Sequence, residues 1–261
     1  MTVKTPHLDR FSALLILLIT FLLTSCLAEN VENGNSGDSH SQNPLEKASN
    51  LTPKNIIIFI GDGMGVSTIT AGRIFDGQSK GKKGEEHELA FDSFENVALI
   101  KTYNTNAQVP DSAGTATAIL SGYKTNIGAI NVRPNEDVKK MVLNSCVLKR
   151  EPQTLTQRAK KAGRAVGVIS TARITHATPA AMYGHAVDRG WETDSEVDER
   201  AAKFRCKGLA GQLLESAVDI TLGGGRSKFT DDQISDWRKK SGRTYVSTAA
   251  ELRSAPKDRP S

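Results

Sequence analysis

The pattern of apolar and polar positions predicts strands and helices that alternate along most of the chain. The first apolar run, Ile56–Ile60, is rich in β-branched residues and ends on Gly-Asp-Gly, which predicts a buried parallel strand followed by a tight turn. Similar runs predict further strands at 95–104, 164–171 and 218–225. Apolar residues at helical spacing predict helices between these strands, at 65–75, 112–122, 154–163 and 207–217.

This alternation predicts an α/β fold with a mainly parallel central sheet and helices on both faces. After Gly225 the pattern fades, apart from a short predicted strand near Tyr245, so we expect the sheet to be incomplete at its C-terminal end. Ligands of parallel sheets gather at the carboxyl ends of the strands. Three unusual clusters are expected there: Gly61–Gly63, the loop before Ser112, and Thr175–Arg189.

The N-terminus has the layout of a secretory signal. Lys4 and Arg10 give a positive start, and the apolar run at 13–23 is shorter than the roughly 20 residues that a membrane-spanning helix needs. The sequence "LTSC" that ends at Cys26 resembles a bacterial lipoprotein signal, in which the cysteine is lipidated. The alternative is an ordinary signal that is cut near Cys26 or Ala28.

We therefore predict an exported protein that a lipid anchor holds at the cell envelope, in the periplasm or on the outer surface. The polar run after Cys26 suits a flexible tether. The predicted organisation is a lipoprotein-type signal peptide at 1–26, a tether at 27–52 and a domain at 53–261.

Composition is that of an ordinary globular protein, and charge excludes little. The 261 residues are 38% hydrophobic and 24% charged, with a formal net charge of +5. No dense stripe of Lys and Arg with interleaved aromatic residues is present, so we expect no nucleic-acid binding.

The three cysteines divide into one in the signal, Cys26, and a remaining pair, Cys146 and Cys206. In an exported chain such a pair is expected to form a disulfide. Two buried free thiols are the alternative.

Two positions have both a chemical and a structural interpretation. Asp62, between two glycines after a predicted strand, is able to bind a hard cation or zinc through oxygen, or else only to satisfy its own turn. Ser112 is predicted at a helix start, where the helix dipole and free N–H groups suit a phosphate. A serine hydroxyl needs a base or a metal to become a nucleophile. The alternative is that Asp111 and Ser112 form a helix cap and nothing more.

The sequence "THATPAAMYGHAVDR" offers further candidates. His176 and Thr178 are two residues apart, so on an extended stretch they point to the same side and are able to share one ligand or ion. Arg189 has the planar fork that clamps two oxygens of a phosphate. The alternatives are a helix that starts at Thr178 and a surface arginine. His185 has no argued partner and is interpreted as structural.

Together these clusters closely resemble the alkaline phosphatase family. The matching segments are "NIIIFIGDGMG", "VPDSAGTATAILSGYKTN", "VGVISTARITHATPAAMYGHAVDR" and "DITLGGGR". The resemblance covers roughly Asn55 to Leu252, which is most of the chain beyond the predicted tether.

The resemblance implies a role for each candidate. Ser112 matches the nucleophile that forms a phosphoserine intermediate, and Arg189 matches the arginine that holds the phosphate oxygens. Asp62 matches the carboxylate that bridges a zinc and the magnesium, and Thr178 matches a magnesium ligand. His176, where animal-type members also have His, is expected near the metal. The resemblance further implies two Zn²⁺ and one Mg²⁺ per site, phosphomonoester substrates and a homodimer. Cys146 and Cys206 fall where animal-type members have a disulfide.

The sequence also departs from the family. The zinc ions of the family take three His and two further Asp, and its magnesium takes a Glu, whereas this chain has no His after His185. The chain ends where the family's domain is about half complete, so we expect the 261 residues alone to be inactive. The leading hypothesis is a metal-dependent phosphomonoester hydrolase. The alternatives are a phosphodiesterase or sulfatase on the same fold, and a truncated, inactive phosphate-binding or interaction protein.

Overall fold

A computed structural model describes residues 54–143, 146, 151–240 and 242–256. The predicted signal peptide, the predicted tether and Cys26 lie outside these residues. The chain divides into two units, Met1–Phe59 and Ile60–Ser261, and of the first only residues 54–59 are described. Among the described residues, no helix combines the length and the apolar character that crossing a membrane requires.

The described residues form helices and two strands, and four helices precede the first strand. The helices are α1 Val66–Ser79, α2 Ser112–Ser121, α3 Val138–Val142, α4 Leu155–Lys161, α5 Ala177–Ala180, α6 Glu199–Ala202, α7 Leu209–Glu215, α8 Asp231–Lys239 and α9 Ala249–Ser254. The strands are β1 Gly167–Arg173 and β2 Ile220–Gly224, and short 3₁₀ turns cover Asp194–Glu196 and Arg226–Lys228.

The parallel pairing of β1 with β2 confirms the predicted α/β class. Val168 lies opposite Thr221, and an irregularity in the register follows Ile169. The four predicted helices all form, as α1, α2, α4 and α7. The end of α2 is also where the sequence places it, because Gly122 adopts the left-handed conformation (φ 79°) that glycine reaches without steric cost.

Three predicted strands are wrong in the part of the chain that the structure describes. Ile56–Ile60 is extended without strand pairing, and its side chains are between 40% and 92% exposed. Residues 95–104 form no strand either, and Leu99 is 95% exposed. No strand is present at Tyr245. A parallel strand is stable only with paired neighbours and covered faces, and the described sheet has two strands.

Helices α8 and α9 were not predicted, although the sequence carries a signal for each. Both begin with a capping box. The side chain of a threonine accepts a hydrogen bond from the backbone N–H three residues later, and the side chain of the Gln or Glu at that position accepts one from the backbone N–H of the threonine. The pairs are Thr230 with Gln233 and Thr248 with Glu251. Capping boxes therefore indicate these helices better than apolar spacing does.

The core holds α2 against α5 and fixes the loops around both. Ala113, Ala116 and Leu120 of α2 are buried in the same cluster as Ala177 and Ala180 of α5. The small side chains let the two helices approach closely, which brings the start of α2 near the loop that precedes α5.

Buried Asn131 ties the loop after α2 to the segment after α5. Its amide nitrogen donates to the carbonyls of Ala181 (2.7 Å) and Gly184 (2.9 Å), and its backbone N–H donates to Thr117 Oγ1 (2.9 Å). Ile130 and Ala186 exchange backbone hydrogen bonds beside it. These contacts fix the position of the chain that leads to Arg189.

The predicted disulfide, Cys146–Cys206, is present, with Cα atoms 5.2 Å apart. Cys206 also packs against the main apolar core. The bond therefore joins the segment after α3 to the core.

We expect replacement of both cysteines by alanine to lower the free energy of unfolding by about 4 kcal/mol, because the bond closes a 60-residue loop in the unfolded chain. Chemical denaturation measures this difference. A reducing agent should destabilise the wild type and leave the double variant unchanged, which serves as the control. Two freely alkylated thiols in unreduced native protein would contradict the bond.

Candidate active site

At the start of α2, Asp111 caps the helix and Ser112 contacts Asp62. Asp111 is the N-cap residue, in extended conformation, and its Oδ1 accepts a hydrogen bond from the backbone N–H of Gly114 at 3.0 Å. Ser112 is the first residue of the helix, and its hydroxyl donates to Asp62 Oδ1 at 2.9 Å. Because Asp111 supplies the cap, the hydroxyl of Ser112 is left to face Asp62.

Asp62 joins two hydroxyls that are far apart in the sequence. Its Oδ1 accepts from Ser112, 50 residues away, and its Oδ2 accepts from Thr178 Oγ1 at 2.8 Å, 116 residues away. Gly63 has a positive φ of 69°, which permits the tight turn that presents this carboxylate. Both oxygens of Asp62 thus bind groups beyond their own turn.

Arg189 places its guanidinium between Asp111 and His176. Nη1 donates to Asp111 Oδ2 at 3.2 Å, and Nη2 donates to His176 Nε2 at 2.8 Å. The backbone N–H of Arg189 donates to the Gly128 carbonyl at 2.7 Å, which anchors the residue to the loop after α2. The guanidinium is therefore held in one orientation at the start of α2.

The pKa of the Asp111 carboxyl is lowered. Burial is the largest single influence and raises it, but the backbone N–H groups of Gly114 and Gly128, the Asn104 amide and Arg189 together outweigh that effect. Asp111 is thus an anion, which pairs with the cationic Arg189.

The pKa of His176 is lowered, first by burial and then by the positive charges of Arg189 and Arg173. Because Arg189 donates to Nε2, the neutral ring carries its proton on Nδ1, which is buried and has no hydrogen-bond partner among the described residues.

The residues that the sequence singled out for catalysis or metal binding form two contacting groups: Asp62 with Ser112 and Thr178, and Arg189 with His176 and with Asp111, the residue before Ser112. The expected extended stretch at His176 and Thr178 is wrong, because α5 begins at Ala177 and the two side chains contact different partners. His185 lies apart in function: its Nδ1 contacts the Asn131 carbonyl and its backbone N–H donates to Gln212, which fits the structural interpretation.

Sequence reasoning missed two features of the site. The first is the contact of Asp111 with Arg189, in addition to its cap. The second is Asn104, which binds Asp111 from a loop. Asparagine is common in turns, so no sequence signal separates Asn104 from an ordinary turn residue.

The oxygen atoms around Asp62 suit a hard divalent cation. A carboxylate with its two oxygens turned toward two different hydroxyls, Ser112 and Thr178, has the arrangement of a bridging ligand. Within the described residues, no group of three or more His, Cys, Asp or Glu side chains is placed to hold a metal ion. These oxygens therefore fit part of a coordination shell, and the described residues do not fill a four-ligand zinc site.

Comparison with known proteins decides the family. The family model described as alkaline phosphatase matches residues 53–259. The chain belongs to the alkaline phosphatase family. The residues around Asp62, Ser112 and Arg189 described above lie within the matched range.

Individual alkaline phosphatases support this placement. The chain is 43% identical to the tissue-nonspecific isozyme of Gallus gallus over 231 residues, covering 85% of this chain and 44% of that protein. It is 45% identical to an alkaline phosphatase of Gadus morhua over 204 residues, covering 75% and 42%. A cold-active alkaline phosphatase from Shewanella sp. superposes with a TM-score of 0.57 at 31% identity, over 75% of this chain and 42% of that one. The chain thus spans less than half the length of these relatives.

Proposed function

We propose that the full-length parent of this chain is a metal-dependent phosphomonoester hydrolase that acts through a phosphoserine intermediate at Ser112. The observation that carries this proposal is the contact of Asp62 with both Ser112 and Thr178, beside an arginine whose fork is held in place. Membership of the alkaline phosphatase family supports the reaction class.

Each residue of the site has one task in this reaction. Arg189 binds two oxygens of the phosphoryl group, and the positive end of α2 adds to the attraction. The oxygen of Ser112 forms a bond to phosphorus as the bond to the alcohol breaks and the alcohol leaves with a proton. Water then cleaves the Ser112–phosphate ester and releases inorganic phosphate. Asp62 Oδ1 orients the hydroxyl of Ser112 for attack.

The negative charges of the site and of the substrate explain why bound cations are expected. Asp62 and Asp111 are carboxylates within the site, and they repel a phosphate dianion, which Arg189 and the N-terminus of α2 attract. We propose that Asp62 and Thr178 bind Zn²⁺ and Mg²⁺ together with His176 close by, two Zn²⁺ and one Mg²⁺ per site as in the resemblance. The bound ions supply Lewis-acid activation of the serine hydroxyl and neutralise the phosphate charge.

The proposal extends to the predicted setting of the protein. Export and a lipid on Cys26 are predictions from the sequence, and Cys26 lies outside the described residues. The homodimer is what the resemblance to the family implies. Radiolabelled fatty acid incorporated by the wild type but not by Cys26→Ser is the direct check of the anchor.

The test compares three substrates on the full-length parent with Zn²⁺ and Mg²⁺ supplied: an aryl phosphomonoester, the matching aryl phosphodiester and the aryl sulfate. We expect the monoester to be hydrolysed fastest, and a chelator to abolish the rate. Faster turnover of the diester or the sulfate would instead support the phosphodiesterase or sulfatase alternative. Phosphate binding without any turnover would support the inactive binding protein.

A further inference from the structure

We propose that Asn104 is a positioning residue for catalysis: it fixes the Asp111 carboxylate so that this carboxylate orients Arg189, and Gly114 lacks a side chain in order to admit it. The inference rests on the proposed function, because it gives Asn104 a role in binding the phosphoryl group. Neither residue carries chemistry of its own.

The first observation is the contact between the two side chains. Asn104 Nδ2 donates to Asp111 Oδ1 at 3.0 Å, and Asn104 is only 4% exposed. The amide nitrogen must be the atom that faces Asp111, since an ionised carboxylate only accepts hydrogen bonds. A buried amide directed at a partly buried carboxylate is a specific contact between two side chains.

The second observation is how the two oxygens of Asp111 are used. Oδ1 accepts from Asn104 and from the backbone of Gly114, each at 3.0 Å, whereas Oδ2 faces Arg189 Nη1 at 3.2 Å. Two donors on Oδ1 fix the plane of the carboxylate, and so fix where Oδ2 lies. Without Asn104, Oδ1 loses one of these two donors, and only the N–H groups of Gly114 and Gly128 and the Arg189 guanidinium hold the carboxylate, so its plane is less closely fixed.

The third observation is steric. A Cβ atom added at Gly114 would lie 2.2 Å from Asn104 Oδ1 and 2.6 Å from its Cγ, far inside contact distance. Glycine is a poor residue for a helix interior, yet it stands in the first turn of α2. The close approach of the Asn104 side chain explains why position 114 is a glycine.

The fourth observation is that Asn104 is itself held in place. Its backbone pairs with Ala107 across a tight turn, and the next residue, Thr105, donates its N–H to the Thr125 carbonyl at 3.0 Å. The amide therefore projects from a fixed loop. A positioning residue needs such support, because it transmits only as much order as its own backbone has.

The experiment measures kcat, KM and the dissociation constant of inorganic phosphate for Asn104→Asp and Asn104→Ala in the full-length, metal-loaded parent enzyme. We expect kcat/KM to fall about 10- to 100-fold in both, with weaker phosphate binding, because Arg189 is misplaced rather than removed. Gly114→Ala should have the same effect. Asn106→Asp is the matched control: Asn106 lies in the same turn, and its Oδ1, which accepts from the Ile127 N–H at 2.8 Å, is retained as a carboxylate oxygen.

A double-mutant cycle separates positioning from general damage to the fold. In an Arg189→Ala background, adding Asn104→Ala should lower kcat/KM by less than about two-fold, because the residue that Asn104 positions is already absent. An equal loss in both backgrounds would overturn the proposal, as would Asn104 variants that match Asn106→Asp. If the wild type binds phosphate without turnover, the proposed function fails and the phosphate dissociation constants of the same variants still decide the role of Asn104. Absence of phosphate binding in the wild type would overturn both.

Discussion

Ser112→Ala is expected to lower kcat for phosphomonoesters by at least about a thousand-fold, because it removes the atom that forms the phosphoserine. Bound metal should stay close to the wild-type amount, because the contact of Asp62 with Thr178 does not involve Ser112. Steady-state kinetics and metal analysis measure the two effects separately. A brief reaction with ³²P-labelled substrate, quenched in acid, should label the wild type and leave the variant unlabelled.

Ser121→Ala is the matched control for this substitution. Ser121 is the last residue of α2, and its hydroxyl donates to the Thr117 carbonyl at 2.7 Å, at the opposite end of the helix from Asp62. It should therefore keep the wild-type kcat. A phosphoserine that still forms in the Ser112→Ala protein would show that another residue is the nucleophile.

Arg189→Ala is expected to lower kcat/KM by about 100- to 1,000-fold and to weaken the binding of inorganic phosphate, because a charged bidentate donor to the phosphoryl oxygens is lost. The variant also leaves the Asp111 carboxylate without its cation at 3.2 Å, so that an uncompensated negative charge faces the substrate. Inhibition by phosphate measures the loss in the ground state, and kcat measures the loss in the transition state.

Arg189→Lys separates charge from geometry. Lysine keeps one positive charge but lacks the planar fork that reaches Asp111 and His176 together. We expect it to recover only a small part of the lost kcat/KM. Full recovery would show that charge alone suffices, and that the held orientation of the guanidinium contributes nothing.

The prediction of the site from sequence was more complete than the prediction of the sheet. Asp62 contacts Ser112 and Thr178, although Asp62 and Thr178 are separated by 116 positions, and Arg189 contacts His176 and the neighbour of Ser112, Asp111. Periodicity alone contains no information about such separations. The resemblance to a family supplied it, and the contacts among the described residues are consistent with it.

The sheet shows where pattern reasoning fails. Ile56–Ile60 and residues 95–104 have apolar β-branched sequences as pronounced as those of β1, yet only β1 pairs with a described neighbour. A strand has no internal hydrogen bonds, so its formation depends on a partner strand, which local sequence does not specify. Leu99 and its neighbours consequently remain exposed in the described structure.

The sequence by itself determined the features that depend on nearby residues. These are α2 with its cap at Asp111 and its end at Gly122, because the N–H groups and carbonyls at helix ends are satisfied within a few residues. Tertiary structure alone decided what each polar group meets: that the Ser112 hydroxyl turns to Asp62, and that Asn104 shares Asp111 with Arg189. Such contacts form only when packing of the core brings distant segments together, and no local preference specifies them.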